Sequence, residues 1–142
     1  MMKKILIPVF LLLAVTAQAQ FNNSWIDYSK TYYKFKVSAD NLCRIPQTVL
    51  STAGLGSVNA DNFQLWRNGQ QVRIYTSVSG APLGNADYIE FWGQMNDGKP
   101  DKSLYRTPDY QLADKYSLET DTAAYFLTVT AAGGNLRFTG AA

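Results

Sequence analysis

Apolar and polar residues alternate along several short stretches of the chain, and this pattern predicts β-strands. In TYYKFKV, the residues Tyr33, Phe35 and Val37 share one face, and two lysines lie on the other. DYIEFWG repeats the pattern, with Ile89 and Phe91 facing away from its remaining large side chains. AAYFLTVT alternates again over residues 123–130. Each stretch is typical of a strand with one buried face.

A hairpin is predicted where Asn68-Gly69 separates two apolar-rich runs, because this pair readily adopts the positive φ angles of a two-residue turn. Pairing Arg67 with Gln70 sets the register, so that Leu65 faces Val72 and Phe63 faces Ile74. All four apolar side chains then lie on one side of the sheet. The other side takes Gln64, Trp66, Gln71 and Arg73.

One short helix is predicted after a strand at Leu42–Ile45. Pro46 stands at a helix-start position and Gly54 at a helix-stop position, about two turns apart. The polar stretch QMNDGKPDKSLYRTPDYQLADK is predicted to be a long loop, and NLRF, after Gly133-Gly134, to begin a further strand. About seven short strands and a single helix predict an all-β fold, an antiparallel β-sandwich.

The start of the chain predicts export. Residues 1–19 combine two lysines, an apolar run from Ile5 to Val15 and small residues at Ala17 and Ala19, as in a secretory signal peptide. The apolar run is too short to cross a bilayer of about 30 Å, so we expect no membrane anchor. Residues 20–142 then form a single domain in an extracellular or cell-surface location. Because the chain stops at RFTGAA, just after a turn, we expect a truncated product or a fragment of a longer gene.

Charge and residue content exclude several functions. Removing Lys3 and Lys4 with the signal peptide leaves 11 basic and 11 acidic residues, so nucleic acid is an improbable partner. The chain has no histidine and one cysteine, so it can form no Ser-His-Asp triad and no Cys-His dyad. Cys43, beside apolar neighbours, is interpreted as a small buried residue; an intermolecular disulfide and a reactive thiol are the alternatives.

Five stretches, taken in order, resemble the N-terminal, non-catalytic region of secreted gingipain-type cysteine peptidases, the group that includes the type IX secretion sortase. They are the segment from Tyr32 to Leu55, then LWRNGQQV, IEFWGQMNDGKPD, LYRTPDYQ and SLETDTAAYFLTVT. The resemblance implies a β-rich domain that precedes a caspase-like peptidase domain, which carries the catalytic cysteine and histidine. No position of this chain matches those catalytic residues, so the resemblance implies no peptidase activity here.

The loop NDGKPD offers oxygen ligands at Asn96, Asp97 and Asp101, which suit calcium. Three side chains are fewer than the six to eight oxygens that calcium takes, and Asn-Asp-Gly is also an ordinary turn sequence. A structural turn and a calcium site both stay open. Asp87 and Glu90 fall on opposite faces of their strand and form no acid/base pair. The other acidic residues of this part of the chain are interpreted as a solvated loop surface: Asp109, Asp114, Glu119 and Asp121.

Aromatic residues are the other candidate site. Trp66, Trp92 and Tyr88 lie opposite the apolar faces of their strands, where they either bind a sugar as an aromatic platform or fill a second packing interface. The sequence leaves three candidate functions. The first is a non-catalytic domain that packs on, or assists, a downstream peptidase domain. The alternative is an independent secreted carbohydrate-binding module. The third, an adhesin or structural surface module, predicts an exposed apolar patch.

Overall fold

The computed structural model describes residues 23–113 and 115–138. The predicted signal peptide and Asp114 lie outside the described residues. Seven strands occur in this part of the chain, and every pairing between them is antiparallel. They are β1 (Tyr33–Val37), β2 (Asn41–Pro46), β3 (Phe63–Arg67), β4 (Gln70–Val72), β5 (Tyr75–Thr76), β6 (Tyr88–Gly93) and β7 (Ala123–Val129).

The strands form two sheets, one ordered β1-β7-β3-β4 and the other β2-β6-β5. Residues from the inner faces of both sheets make one core, in which Phe63, Leu65, Ile89, Phe91 and Tyr125 are fully buried. The predicted β-sandwich is therefore confirmed. The strand β7, the last of the described strands, lies between β1 and β3.

Tyr125 links the two sheets. Its ring packs against Phe35 and Phe91, with centroids 5.7 and 5.4 Å away, while its hydroxyl receives a hydrogen bond of 2.8 Å from the Gln94 amide just after β6. Burial raises the pKa of this phenol. The buried aromatic ring thus keeps its polar end satisfied, as buried tyrosines usually do.

The single α-helix among the described residues, α1 (Gln47–Thr52), begins and ends where the sequence predicts. Pro46 is its N-cap, and Gly54 follows the C-cap with a φ of 80°. The Gly54 and Leu55 amides donate to the carbonyls of Ser51 and Leu50, at 2.9 and 2.8 Å, which is the Schellman pattern. Leu50 and Leu55 are both buried in the core, so this helix end also fastens α1 to the sandwich.

The hairpin is confirmed over most of its length. Asn68 and Gly69 both have positive φ, and Leu65 pairs with Val72. The predicted Phe63–Ile74 pair does not form, because β4 ends at Val72 and Ile74 makes a parallel bridge to Arg137.

Residues 135–138 take the place of that longer hairpin. The Phe138 amide donates to the Ile74 carbonyl at 3.0 Å, and Arg137 Nη2 donates to the Phe63 carbonyl at 3.0 Å. The predicted further strand at NLRF is thus present as a single bridge. The long polar loop also contains short 3₁₀ helices, at Lys99–Leu104 and Pro108–Tyr110; two more lie at Asn23–Trp25 and Ala60–Asn62.

Candidate functional site

The candidate calcium ligands are engaged by protein donors. Asn96 Oδ1 accepts from the Gly98 amide at 3.2 Å, and Asp97 Oδ1 accepts from the Lys99 amide at 3.1 Å. The buried Asp101 accepts a hydrogen bond from the Ser117 hydroxyl. These contacts hold the loop as a turn that begins the 3₁₀ helix at Lys99–Leu104.

Two cations surround the Asp97 carboxylate. Its Oδ2 lies 3.1 Å from Lys99 Nζ and 3.7 Å from Arg67 Nη2. Burial opposes ionisation, but the hydrogen bonds from Lys99 and the charges of Arg67 and Lys99 outweigh it, so the pKa of Asp97 is lowered. No group of three Asp, Glu or Cys side chains that could hold a metal occurs in the described part of the chain. Calcium stays a prediction.

The three candidate aromatic residues do not come together. Trp66 lies on β3 in the four-stranded sheet, whereas Tyr88 and Trp92 lie on β6 in the other sheet. Trp66 is covered by Trp25, whose ring stacks on it at 5.5 Å between centroids. Trp25 also packs against Tyr32 and Phe126 at 5.6 and 5.5 Å. Trp66 therefore fills a second packing interface on the outside of its sheet.

Trp92 is exposed, and it belongs to an open outer surface. It pairs directly with Leu42 on β2, so the two side chains share one face of the three-stranded sheet. Leu42 is 63% exposed, Trp92 51% and Tyr75, on β5, 43%. We call this surface the Trp92 face; it comprises Leu42, Arg44, Tyr75, Tyr88, Glu90 and Trp92.

An ion pair occupies the middle of the Trp92 face. Arg44 Nε and Nη2 both donate to Glu90 Oε1, at 2.9 and 2.6 Å. The Arg44 guanidinium also lies 3.8 Å from the centre of the Tyr88 ring, which is a close cation–π contact. Arg44 thus covers one side of Tyr88, and its partner Glu90 lies directly across from Tyr75 in the sheet.

Cys43 points to the opposite side of β2, toward the core. Its thiol donates to Asn41 Oδ1 at 2.9 Å, and burial raises its pKa. Cys43 is half-buried rather than buried as predicted, and it packs against the buried cluster as a small side chain. A raised pKa keeps the sulfur protonated, which is the unreactive form.

The remaining acidic candidates lie apart from one another. Asp87 accepts hydrogen bonds from the Ser77 hydroxyl at 2.9 Å and the Gly84 amide at 2.7 Å. Glu90 is paired with Arg44 on the Trp92 face. Asp109, Glu119 and Asp121 are exposed, as predicted. Within residues 23–113 and 115–138, no helix is long and apolar enough to cross a membrane.

Leu42 is the main residue of the Trp92 face that sequence reasoning missed. The stretch NLCRIP does carry the signal, because Cys43 and Ile45 alternate with Leu42 and Arg44, and only one pair can face the core. The packing of Trp25 over Trp66 could not be predicted from neighbouring residues, since the two tryptophans are far apart in the chain.

Comparison of the chain with protein-family models, with curated proteins and with solved structures finds no match. The resemblance to gingipain-type peptidases therefore stays a prediction from the sequence.

Proposed function

We propose that this chain is a non-catalytic β-sandwich domain that docks through its Trp92 face onto a peptidase domain. The open aromatic and apolar surface around Trp92 is the observation that carries the proposal. Leu42, Trp92 and Tyr75 are each more than 40% exposed on one side of one sheet. Large exposed apolar patches, especially those rimmed by polar residues, mark protein interaction sites.

The contrast between the two sheets supports docking. Both carry aromatic rings on their outer faces, but the four-stranded sheet has its own cover in Trp25. Among the described residues, no ring stacks on Trp92 in this way. Trp, Tyr and Arg are also the side chains that most often dominate binding energy at interfaces. Glu90 already holds the Arg44 side chain in place, so little further ordering of Arg44 would be needed on binding.

The resemblance supplies the proposed partner. In gingipain-type proteins and the type IX secretion sortase, a region like this one precedes a caspase-like peptidase domain. We infer that the domain is exported with its partner in a longer chain, and that it supports the folding or targeting of the peptidase. The catalytic groups then belong to the partner, in keeping with a sequence that has no histidine.

The gene downstream of Ala142 gives the first test. An in-frame continuation with a cysteine and a histidine in a caspase-like pattern is the expected result. A stop codon there, with no peptidase gene nearby, would overturn the proposed partner.

Binding variants give the second test. The Trp92→Ala and Leu42→Ser variants should each weaken association with the separately produced peptidase domain by about tenfold, or about 1.4 kcal/mol. Tyr110→Ala is the matched control, because Tyr110 is 67% exposed and lies outside the Trp92 face. Equal affinities for all three variants and the unaltered chain would show that this face does not dock the peptidase.

Carbohydrate binding is the second candidate, and the exposed Trp92 favours it. A sugar would stack on Trp92, with Tyr75 and Tyr88 nearby on the same face. Titration of tryptophan fluorescence with polysaccharides, together with a glycan array, separates the two functions. A saturable response that Trp92→Ala removes would support the carbohydrate-binding module, and no response to any glycan would exclude it.

A further inference from the structure

A groove of about 330 Å³ runs along the side of the sandwich between β1 and β2. Within residues 23–113 and 115–138 these are edge strands, since β1 pairs only with β7 and β2 only with β6. Helix α1 forms one wall. The interior of the groove is apolar and includes Phe35, Ile45, Val49, Leu50, Leu55 and Leu127.

The groove follows the backbone edges of the strands. Three consecutive residues of β1, Tyr33 to Phe35, line it, and so do three consecutive residues of β2, Arg44 to Pro46. Side chains of consecutive strand residues point to opposite faces of the sheet, so three in a row cannot all line the groove with their side chains. The groove therefore runs along the backbone edge of each strand. An edge strand presents backbone amide and carbonyl groups that can pair with another extended segment.

The two edges are not equivalent. Pro46 has no amide hydrogen to donate, which weakens the pairing capacity of β2. Arg44, beside it, is already paired with Glu90. On β1, by contrast, Lys34 lines the groove and has no carboxylate partner in the described part of the chain; its Nζ lies 5.9 Å from the centre of the Phe126 ring. The edge of β1 is therefore the better acceptor for a new strand.

Charge indicates which segment fits. The lining residues include no carboxylate; of their two cations, Arg44 is paired with Glu90, whereas Lys34 has no carboxylate partner among the described residues. An added strand would place alternate side chains in the apolar groove and the others on the outer side, beside Lys34. Apolar residues suit the first set of positions and acidic residues the second.

We propose that the β1 edge and its groove bind an extended peptide segment in which apolar and acidic residues alternate. The segment adds to β1 as a strand, so that its backbone pairs with β1 and its apolar side chains enter the groove beside Val49 and Leu50. Recognition by strand addition commonly combines these two elements, backbone pairing for affinity and side-chain pockets for selectivity. This site shares Arg44 with the Trp92 face, but it does not depend on the docking proposed there.

The test uses a fluorescent peptide of alternating valine and glutamate with the chain purified from an exporting host, followed by fluorescence anisotropy. Saturable binding is expected, with loss of at least about tenfold in affinity when lysine replaces glutamate. N-methylation of alternate peptide amides should also abolish binding, because it blocks backbone pairing. No saturable binding, or equal binding of the N-methylated peptide, would overturn the proposal.

Matched variants locate the site. Lys34→Glu and Val49→Glu should each lower the affinity for the peptide by about tenfold or more. Lys102→Glu and Thr48→Glu are the controls, because both residues are exposed and neither lines the groove nor lies on β1. Thermal melts of all four variants show whether each still folds, and only variants with an intact transition are compared.

Two other occupants are distinguished by the same experiment. Competition by decanoate but not by the unlabelled peptide would assign the groove to an acyl chain and overturn the peptide. A dimer seen by light scattering that Val49→Glu dissociates, with no peptide binding, would assign it to a second copy. Equal effects of Lys34→Glu and Lys102→Glu would show that binding is general charge attraction and would likewise overturn the proposed site.

Discussion

Trp25 stacks on Trp66 with 5.5 Å between ring centroids and 30° between ring planes. This contact joins the 3₁₀ helix before β1 to the outer face of the four-stranded sheet, so a tryptophan placed opposite the core is still protected. We expect Trp25→Ala to lower the free energy of unfolding by about 2 kcal/mol, less than for a fully buried tryptophan. A double-mutant cycle with Trp66→Ala should give a coupling of about 1 kcal/mol.

Trp92→Ala is the control for that cycle, since Trp92 is 51% exposed and has no stacked partner in the described part of the chain. Its effect on stability should stay below about 1 kcal/mol. Urea unfolding followed by circular dichroism measures all these values. A zero coupling energy would show that the stacked rings contribute independently.

Arg137 should be the most sensitive charged residue for stability. Its Nη2 donates to three backbone carbonyls, those of Ala60, Asp61 and Phe63, at 2.9 to 3.0 Å. Burial lowers its pKa, but an arginine keeps its charge. Arg137→Ala leaves these partly buried acceptors without their donor, and we expect a loss of about 2 kcal/mol.

Arg137→Lys should recover little of this loss, because an ammonium group cannot reproduce the reach and fork of a guanidinium. Arg106→Ala, at an exposed position, is the control and should change stability by less than about 0.5 kcal/mol. Thermal melts at pH 7 compare the three variants. Equal melting temperatures for Arg137→Ala and Arg106→Ala would contradict the role of Arg137.

Gly93 is required by close packing. A Cβ at this position would lie 2.5 Å from Cys43 Sγ and 3.1 Å from Val37 Cγ1. Gly93→Ala should therefore destabilise the fold by about 2 kcal/mol through overpacking. Adding Cys43→Ala removes the closer contact and should restore part of the loss. If the double variant loses as much stability as the two single variants together, or more, the clash with Cys43 is not the cause.

The ionised Asp97 carboxylate should contribute to stability in a way that is lost in acid. A carboxyl whose folded pKa lies below its unfolded value stabilises the fold fully above the unfolded pKa, about 3.9, and loses this contribution as pH falls toward the folded pKa. Melting temperatures of the unaltered chain should fall below about pH 4 more steeply than those of Asp97→Asn. Parallel curves for the two proteins between pH 2 and pH 7 would contradict this prediction.

Metal removal tests the loop that contains Asp97. Because Lys99 and Arg67 already neutralise this carboxylate, we expect EDTA to leave the melting temperature unchanged and millimolar calcium to raise it little. An increase of several degrees in calcium, absent in Asp101→Asn, would instead establish the calcium site. Magnesium at the same concentration controls for ionic strength.

Features set by neighbouring residues could be predicted from the sequence. The Asn68-Gly69 turn fixed the hairpin register near it, and the Pro46 and Gly54 pair located α1. Alternation in β6 also placed Trp92 outside the core. These predictions succeed because turn chemistry, helix ends and strand faces depend on adjacent residues.

Long-range contacts could not be predicted in the same way. The Phe63–Ile74 pair failed because Arg137, far along the chain, takes the Phe63 carbonyl. The opposite exposures of Trp66 and Trp92 depend on Trp25, which covers one and not the other. The groove beside β1 likewise arises only from the order of strands in the two sheets.

The central position of β7 has a consequence for the order of assembly. The four-stranded sheet needs β7 between β1 and β3, yet β7 is synthesised after the six other described strands. A nascent chain that lacks residues 123–129 therefore has no partner for β1 and only the β3–β4 hairpin of this sheet, which is at best marginally stable alone. The four-stranded sheet therefore cannot form until residues 123–129 have been synthesised, and up to that point β1 and the β3–β4 hairpin have no strand to join them.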